Sequence, residues 1–203
     1  MINVTTDTGA YILGLLWGTM GEGAEGYLVR HRDRWYINTV RECLGITSAI
    51  QKISGRTVPQ YRLKIIRAET VDSLKELLKA CDWSPRQAQE RRYPSSNIND
   101  KGFCRAWVEL HSSVYMGYAL SKKGQRYPQK KLQIYGNYSL IEEMNYIFSA
   151  ATGLKPRTLQ KTSNNITKAI YYQGKTVEPV VIWLYDGAEI WNPSARRKLE
   201  FVE

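Results

Sequence analysis

One pattern occurs twice in this chain: an apolar helix with small residues along one side, ending in a sharp turn into a strand. The two copies cover residues 12–21 and 103–114. A long-period repeat of this kind governs the whole architecture, since each half is then expected to carry the same order of helices and strands. The two helices end at Thr19 and His111, and neither residue is an acid.

Hydrophobic periodicity predicts the order helix, two strands, helix, two strands, helix for the first half. The first helix, 8–18, is too continuously apolar for a surface position, so we expect it to be buried, with Thr8 as its N-cap. The other elements of this half are expected at 26–38 (strand signals), 40–44 (a very short helix), 46–54 and 60–67 (a hairpin around the turn 54–59) and 70–81 (helix).

Residues 84–99 have little periodicity, many polar groups and prolines at positions 85 and 94, and they are predicted to link repeats at 1–83 and 100–203. The second half is expected to have elements at 100–109 (helix), 113–121 and 129–136 (strands), 139–152 (helix), 156–162 and 166–173 (strands around a turn at 163–165) and 176–185 (helix). In its middle helix, Ser139 and Glu142 form a capping-box pair, and Gly153 is placed to end the helix.

The chain is basic, with 29 Lys and Arg residues against 19 Asp and Glu residues and a net charge of +10 at pH 7. This balance favours a polyanionic partner. The basic residues lie in strand-like segments beside Tyr and Gln rather than on one amphipathic helix, which favours nucleic acid over a membrane.

No apolar run is long enough to cross a bilayer, and the start of the chain lacks the pattern of a secretory signal. Cys43, Cys81 and Cys104 lack the spacing of a zinc site or a disulfide framework and are expected to be reduced thiols. Together these features predict an intracellular protein, cytoplasmic or nucleoid-associated, with no membrane partner.

Several segments carry the motifs of one known family. The second motif helix reads Phe-Cys-Arg-Ala-Trp-Val-Glu-Leu-His-Ser-Ser-Val over 103–114, and the first contains Gly-Leu-Leu-Trp-Gly-Thr over 14–19. A strand reads Lys-Leu-Gln-Ile-Tyr-Gly-Asn over 131–137, the closing helix reads Ile-Trp-Leu-Tyr-Asp-Gly-Ala over 182–188, and the basic tail is Arg-Arg-Lys over 196–198. These segments resemble the LAGLIDADG homing endonuclease family in its two-repeat, single-chain form, and the resemblance covers nearly the whole chain.

The resemblance implies an α+β fold of two pseudo-symmetric αββαββα repeats, whose two antiparallel sheets form a saddle over the major groove of double-stranded DNA. It also implies that the motif helices pack against each other along Gly14, Gly18, Ala106 and Leu110. Both repeats are present in one chain, so a monomer is expected.

The acids that hold the divalent metal ions in this family correspond to Thr19 and His111 in this sequence. A hard Mg²⁺ ion prefers carboxylate oxygens, so the two positions are degenerate. Glu22, just past the first motif helix, and Glu109, near the end of the second, are the fallback acids if the alignment is shifted. We therefore predict that the chain has no catalytic residue, no metal site and no cofactor. Mg²⁺ would be required only if the protein were an active nuclease.

The residues predicted to bind DNA are basic or polar side chains that alternate with apolar neighbours in predicted strands, together with a tyrosine at the spacing of the family's first strand. They are Arg30, Arg32, Arg62, Lys64, Tyr115, Lys131, Gln133 and Lys168. In an extended chain Arg30, Arg32 and Arg34 share one face, unless a turn at Asp33 breaks that face.

Three functions remain open at this point. The favoured one is a sequence-specific double-stranded DNA-binding protein derived from a homing endonuclease and no longer able to cleave, acting as a repressor, a regulator or a DNA-targeting subunit. An active metal-dependent homing endonuclease would have to use Glu22, Glu109 or His111 in an unusual site. An RNA-binding intron splicing factor lacks an evident base-stacking motif, although 14 tyrosines leave room for one.

Overall fold

Two four-stranded antiparallel sheets, each with flanking helices, make up the computed structural model, which describes residues 2–53, 58–85, 91–162 and 167–200. The elements of the first half are α1 (Asp7–Thr19), β1 (Met20–Gly23), β2 (Gly26–His31), α2 (Arg34–Cys43), β3 (Gln51–Ile53), β4 (Gln60–Ile65) and α3 (Ala68–Ala80). Those of the second are α4 (Asp100–His111), β5 (Ser112–Leu120), β6 (Arg126–Asn137), α5 (Tyr138–Thr152), β7 (Gln160–Lys161), β8 (Thr167–Gln173), α6 (Val177–Tyr185) and α7 (Pro193–Glu200). The predicted α+β class and repeated αββαββα order are confirmed.

The two sheets have the same topology. Their strand orders are β1-β2-β4-β3 and β5-β6-β8-β7. In the first sheet Val29 pairs with Met20 and Leu63, and all three side chains are buried. In the second sheet Leu132 pairs with Val114 and Tyr172 on the equivalent face. Since paired residues point to the same side of a sheet, each sheet has one helix-covered face and one open face.

The motif helices α1 and α4 pack directly against each other along small residues. A Cβ atom on Gly14 would lie 2.7 Å from the Cβ of Ala106, and one on Gly18 would lie 2.6 Å from a methyl carbon of Leu110. The predicted seam is therefore confirmed. Gly102 extends it, because a Cβ there would lie 2.3 Å from the carbonyl oxygen of Asp7.

The first half departs from the prediction between residues 31 and 43. Strand β2 ends at His31, and the Asp33 side chain accepts the backbone N–H of Trp35 at 2.9 Å to start α2. Helix α2 has 10 residues, so the very short helix predicted at 40–44 is wrong, and Arg34 belongs to the helix rather than to a strand. The alternating arginines resembled a strand, but the N-cap at Asp33 and the buried Ile37 and Val40 favour a helix.

Two predicted helix caps are also corrected. The α1 N-cap is Thr6, whose hydroxyl accepts Gly9 N–H at 3.1 Å, whereas the Thr8 hydroxyl donates to Glu189 at 2.6 Å. Helix α5 has no capping box, because the Glu142 carboxylate accepts from the Tyr138 hydroxyl instead. Gly153 does end that helix, with a left-handed φ of 69° that suits glycine.

Other boundaries are shifted. Strands β3 and β7 are shorter than predicted, and the basic tail lies in a helix, α7, that the sequence pattern did not predict. The predicted turn at 163–165 and residues 54–57 of the turn 54–59 lie outside the described residues. None of the helices that the structure describes is long and apolar enough to cross a membrane.

Candidate nucleic-acid interface

The open face of the first sheet is cationic. Arg30 pairs with Arg62, and Leu28 pairs with Lys64, so three of the predicted DNA-binding side chains share this face. Arg30 and Lys64 are exposed. The Arg62 Nε donates a hydrogen bond of 2.7 Å to the side chain of Gln51, which pairs with it from the edge strand.

The open face of the second sheet is rich in tyrosine and glutamine. Tyr115 pairs with Lys131, and Gln133 pairs with Tyr171, so the predicted Tyr115, Lys131 and Gln133 all lie on this face. The Gln133 amide donates to the Tyr171 hydroxyl, and the Tyr135 hydroxyl lies 2.9 Å from Ser113 Oγ. Burial, with the neighbouring Tyr135 and Tyr115, raises the pKa of Tyr171, so its hydroxyl stays protonated.

Arg32 and Lys168 are placed differently from the prediction. Arg32 follows β2 and borders a small cleft of about 140 Å³ that also contains Asp33 and Glu109. Lys168 pairs with Gly136 in phase with the buried Ile170, so it belongs to the helix-covered face. The alternation in β8 misleads because Ala169 and Ile170 are both fully buried.

The prediction missed further open-face residues in the same two sheets. They include Gln51, Tyr135, Tyr171 and Gln173, each paired with a predicted or neighbouring open-face position. Alternate residues of a strand point to the same face, so one known open-face residue in each strand would have been enough to identify them.

The first motif helix ends in a hydroxyl that is already engaged. Thr19 is 5% exposed, and its Oγ1 donates a hydrogen bond of 2.6 Å to the carbonyl oxygen of Leu15. This bond to the preceding turn satisfies the hydroxyl within the helix. Thr19 therefore offers no carboxylate and only a hydroxyl already bound to the backbone.

The second motif helix ends in an imidazole that packs in the seam. The His111 ring lies 4.2 Å from the Trp107 ring, centroid to centroid, with an interplanar angle of 36°. Its Nε2 would lie 2.8 Å from a Cβ on Gly18, so the ring fills the space that this glycine leaves. The side chain contributes to the contact between α1 and α4.

Neither fallback acid lies on an open face. Glu22 pairs with Tyr27, which in turn pairs with the buried Ile65. All three residues therefore point to the helix-covered side of the first sheet. The Glu109 carboxylate accepts from the hydroxyls of Tyr11 at 2.5 Å and Tyr185 at 3.0 Å. Backbone N–H of Asn192 donates to it as well, at 3.1 Å.

Burial raises the pKa of Glu109 to about 7, against the opposing effect of the hydrogen bonds from Tyr11, Asn192 and Tyr185. The carboxyl thus connects α4 to α1, to α6 and to the segment before α7. Its position and its partners fit a structural contact between elements rather than a reacting group.

The donor set at the helix ends does not fit the divalent ions that the fold family uses. One end carries a hydroxyl bound to the backbone and the other an imidazole stacked on tryptophan, whereas Mg²⁺ prefers carboxylate oxygens. Within the described ranges, no group of three or more His, Cys, Asp or Glu side chains is arranged to hold a metal ion.

Comparison with solved structures gives matches along nearly the whole chain. The I-LtrWI LAGLIDADG homing endonuclease bound to target DNA matches with a TM-score of 0.63 at 12% identity, over 96% of this chain and 88% of that one. The meganuclease I-SmaMI bound to uncleavable DNA with a TTCT central four matches with a TM-score of 0.56 at 12% identity, over 94% and 88% of the two chains. The I-SmaMI LAGLIDADG homing endonuclease bound to cleaved DNA gives 0.55 at 10% identity, over 95% and 87%.

The chain matches no sequence-family model and no curated protein sequence. At identities of 10–12%, structural likeness establishes the fold and not the activity. This chain has the LAGLIDADG homing endonuclease fold in its single-chain, two-repeat form.

Proposed function

We propose that this chain binds double-stranded DNA through the major groove and does not cleave it. The binding half of the proposal is supported by the open faces of the two sheets, which carry cationic, tyrosine and glutamine side chains. The similar structures include two endonucleases bound to DNA. The net charge of +10 would add long-range attraction to phosphate.

The observation that carries the loss of cleavage is the chemistry at the two helix ends. Two-metal cleavage needs ligands that hold ions at the attacking and leaving oxygens. Thr19 is bound to its own helix and His111 is packed between Trp107 and Gly18. A protein that keeps the DNA-facing sheets without these acids would act as a repressor, a regulator or a DNA-targeting subunit.

The test is selection from randomised duplex DNA, followed by incubation of the selected duplexes with and without Mg²⁺. We expect enriched bound sites and no cleavage products. Mg²⁺-dependent cleavage that Glu22→Gln or Glu109→Gln abolishes would overturn the inactive half of the proposal. It would favour the active endonuclease.

RNA binding is the second alternative, and the tyrosines on the second sheet are the observation that favours it, since aromatic side chains stack on unpaired bases. Competition between the selected duplex and single-stranded RNA of the same sequence distinguishes the two. We expect the duplex to bind more tightly.

We further propose that the protein acts as a monomer inside the cell. The contact that two separate repeats would make on dimerising is made here between α1 and α4 of one chain. Sedimentation should give a single monomeric species at micromolar concentration. An obligate dimer would contradict this.

A further inference from the structure

The open faces of the two sheets differ in chemistry although the sheets share one topology. Among the described residues, the first open face presents three cations, Arg30, Arg62 and Lys64, beside the glutamines Gln51 and Gln60. The second presents Tyr115, Tyr135 and Tyr171, with glutamines and one lysine, Lys131. A repeat that had stayed symmetric would carry similar side chains on both.

We propose that the two sheets recognise their half-sites by different chemistry, an inference that rests on the DNA binding proposed above. The first sheet recognises a half-site that contains guanine, and the second recognises one dominated by A·T pairs. The two repeats would therefore select an asymmetric target, and the open face of the first sheet would contribute more to the salt dependence of binding than the open face of the second.

The first sheet is built to donate hydrogen bonds. Guanine presents two acceptors, N7 and O6, in the major groove, and arginine reaches both at once. Gln51 accepts the Arg62 Nε proton, so recognition of a base would use the two Nη atoms. Arg30 and Arg62 are direct cross-strand partners. Like charges placed opposite each other repel, and base acceptors or phosphates bound above the sheet would offset this repulsion.

The second sheet offers aromatic rings beside its amides and, within the described ranges, has one cation on its open face where the first has three. Glutamine can bond adenine N6 and N7 together, and apolar surface contacts the thymine methyl group. Gln173 is exposed and pairs with Lys131 on this face. The Gln133 side chain is buried and its amide donates to the Tyr171 hydroxyl. The Gln173 side chain also has a local partner, the Thr176 backbone in a capping box after β8, but it remains exposed and is the better placed of the two for adenine.

The one lysine at the centre of the second face lies along the sheet. A Cβ on Gly117 would be 2.7 Å from Lys131 Cε and 3.0 Å from its Nζ, so the missing side chain at Gly117 makes room for the lysine. The ammonium group is therefore held near β5. The ammonium group keeps its charge there, but it lies close to the sheet rather than extending away from it.

Tyrosine rings could also stack on unpaired bases. Here the Tyr171 and Tyr135 hydroxyls are bound to Gln133 and Ser113 of neighbouring strands. These bonds tether the far ends of both rings to the sheet, which favours contact with the groove of a duplex over insertion between bases.

The experiment is selection of bound duplexes, followed by affinity and salt titrations of three variants on the selected site. Arg62→Ala should relax the guanine preference in one half-site, where the wrong base pair costs the unaltered protein about 5- to 150-fold in affinity. It should also reduce the magnitude of the log–log salt slope by about 1. Gln173→Ala should relax the A·T preference in the other half-site and leave the salt slope unchanged.

Lys79→Ala is the matched control, because Lys79 is an exposed cation on α3 away from both open faces. It should change neither preference. Selected half-sites of equal base composition, or Arg62→Ala and Gln173→Ala acting on the same half-site, would overturn the inference while DNA binding stands. Failure to enrich any duplex, or preference for single strands, would instead overturn the proposed function and this inference with it.

Discussion

Replacement of Arg105 should be costly to the fold, because it is a fully buried charge that connects the two repeats. Its side chain is 0% exposed. Its Nη1 and Nη2 donate to the two Asp7 carboxylate oxygens at 3.0 and 2.6 Å. Its Nε and Nη1 also donate to the carbonyl oxygens of Ile190 and Leu184, at 2.9 and 3.1 Å.

Arg105→Met keeps much of the volume and removes every one of these donors. Asp7 is then left as a mostly buried carboxylate that retains a bond from the backbone N–H of Glu189. Breaking one side of a buried ion pair typically costs about 3–5 kcal/mol. We expect a loss of that size in the free energy of unfolding, a large share of the roughly 5–15 kcal/mol that a domain has in total.

Urea denaturation followed by tryptophan fluorescence measures this loss. Arg67→Met is the matched control, because Arg67 pairs with Glu69 at 2.8 Å on the surface, with both side chains more than 70% exposed, and should cost less than about 1 kcal/mol. Combining Arg105→Met with Asp7→Asn should cost less than the sum of the two single changes. A loss below about 1 kcal/mol for Arg105→Met, or full additivity, would refute the reasoning.

Three further predictions concern the seam, the buried acid and the open face. Gly14→Ala should destabilise the fold by about 1–3 kcal/mol in urea melts, because its Cβ would clash with α4. The control Gly21→Ala meets no atom within 4 Å and should cost less, and equal effects of the two changes would contradict the seam. Burial raises the pKa of Glu109 from 4.5 to about 7, so the folded state holds this proton more tightly than the unfolded state does. The free energy of unfolding should therefore fall as pH rises from about 4.5 to about 7, and Glu109→Gln should flatten this dependence in pH-resolved melts. Arg62→Ala with Lys64→Ala should lower duplex affinity and the salt slope in fluorescence anisotropy titrations, and unchanged binding would disprove the face assignment.

Much of the architecture could be predicted because its signals are local. Apolar and small residues at helical spacing predicted both motif helices and placed Gly14 and Gly18 on one face, since a helix brings residues four apart together. The family resemblance added Ala106 and Leu110 as the facing side of the seam. Gly153 was predicted to end α5 for a similar reason, because glycine adopts the left-handed conformation without strain.

The site could be predicted only in part, because which face of a sheet is open depends on the helices that cover the other face. Strand alternation correctly predicted five open-face residues, namely Arg30, Arg62, Lys64, Lys131 and Gln133. The family resemblance added Tyr115, which also lies on an open face. Alternation failed for Lys168, where two successive strand residues are buried. It also failed for Arg32, where Asp33 starts a helix that interrupts the strand pattern.

The sequence by itself determined the repeated order of elements, because this order depends on residue type and spacing. Through the family resemblance it also determined the residues of the seam and the absence of acids at the two motif positions, because these depend on which residue types stand at matched positions. The Thr19 bond to Leu15 and the His111 contact with Trp107 are local, because each joins residues four apart in one helix. Only the tertiary structure decided that His111 also packs against Gly18 of α1 and that Glu109 accepts from Tyr11 of α1 and Tyr185 of α6. Contacts across such distances depend on the whole fold, which no local pattern encodes.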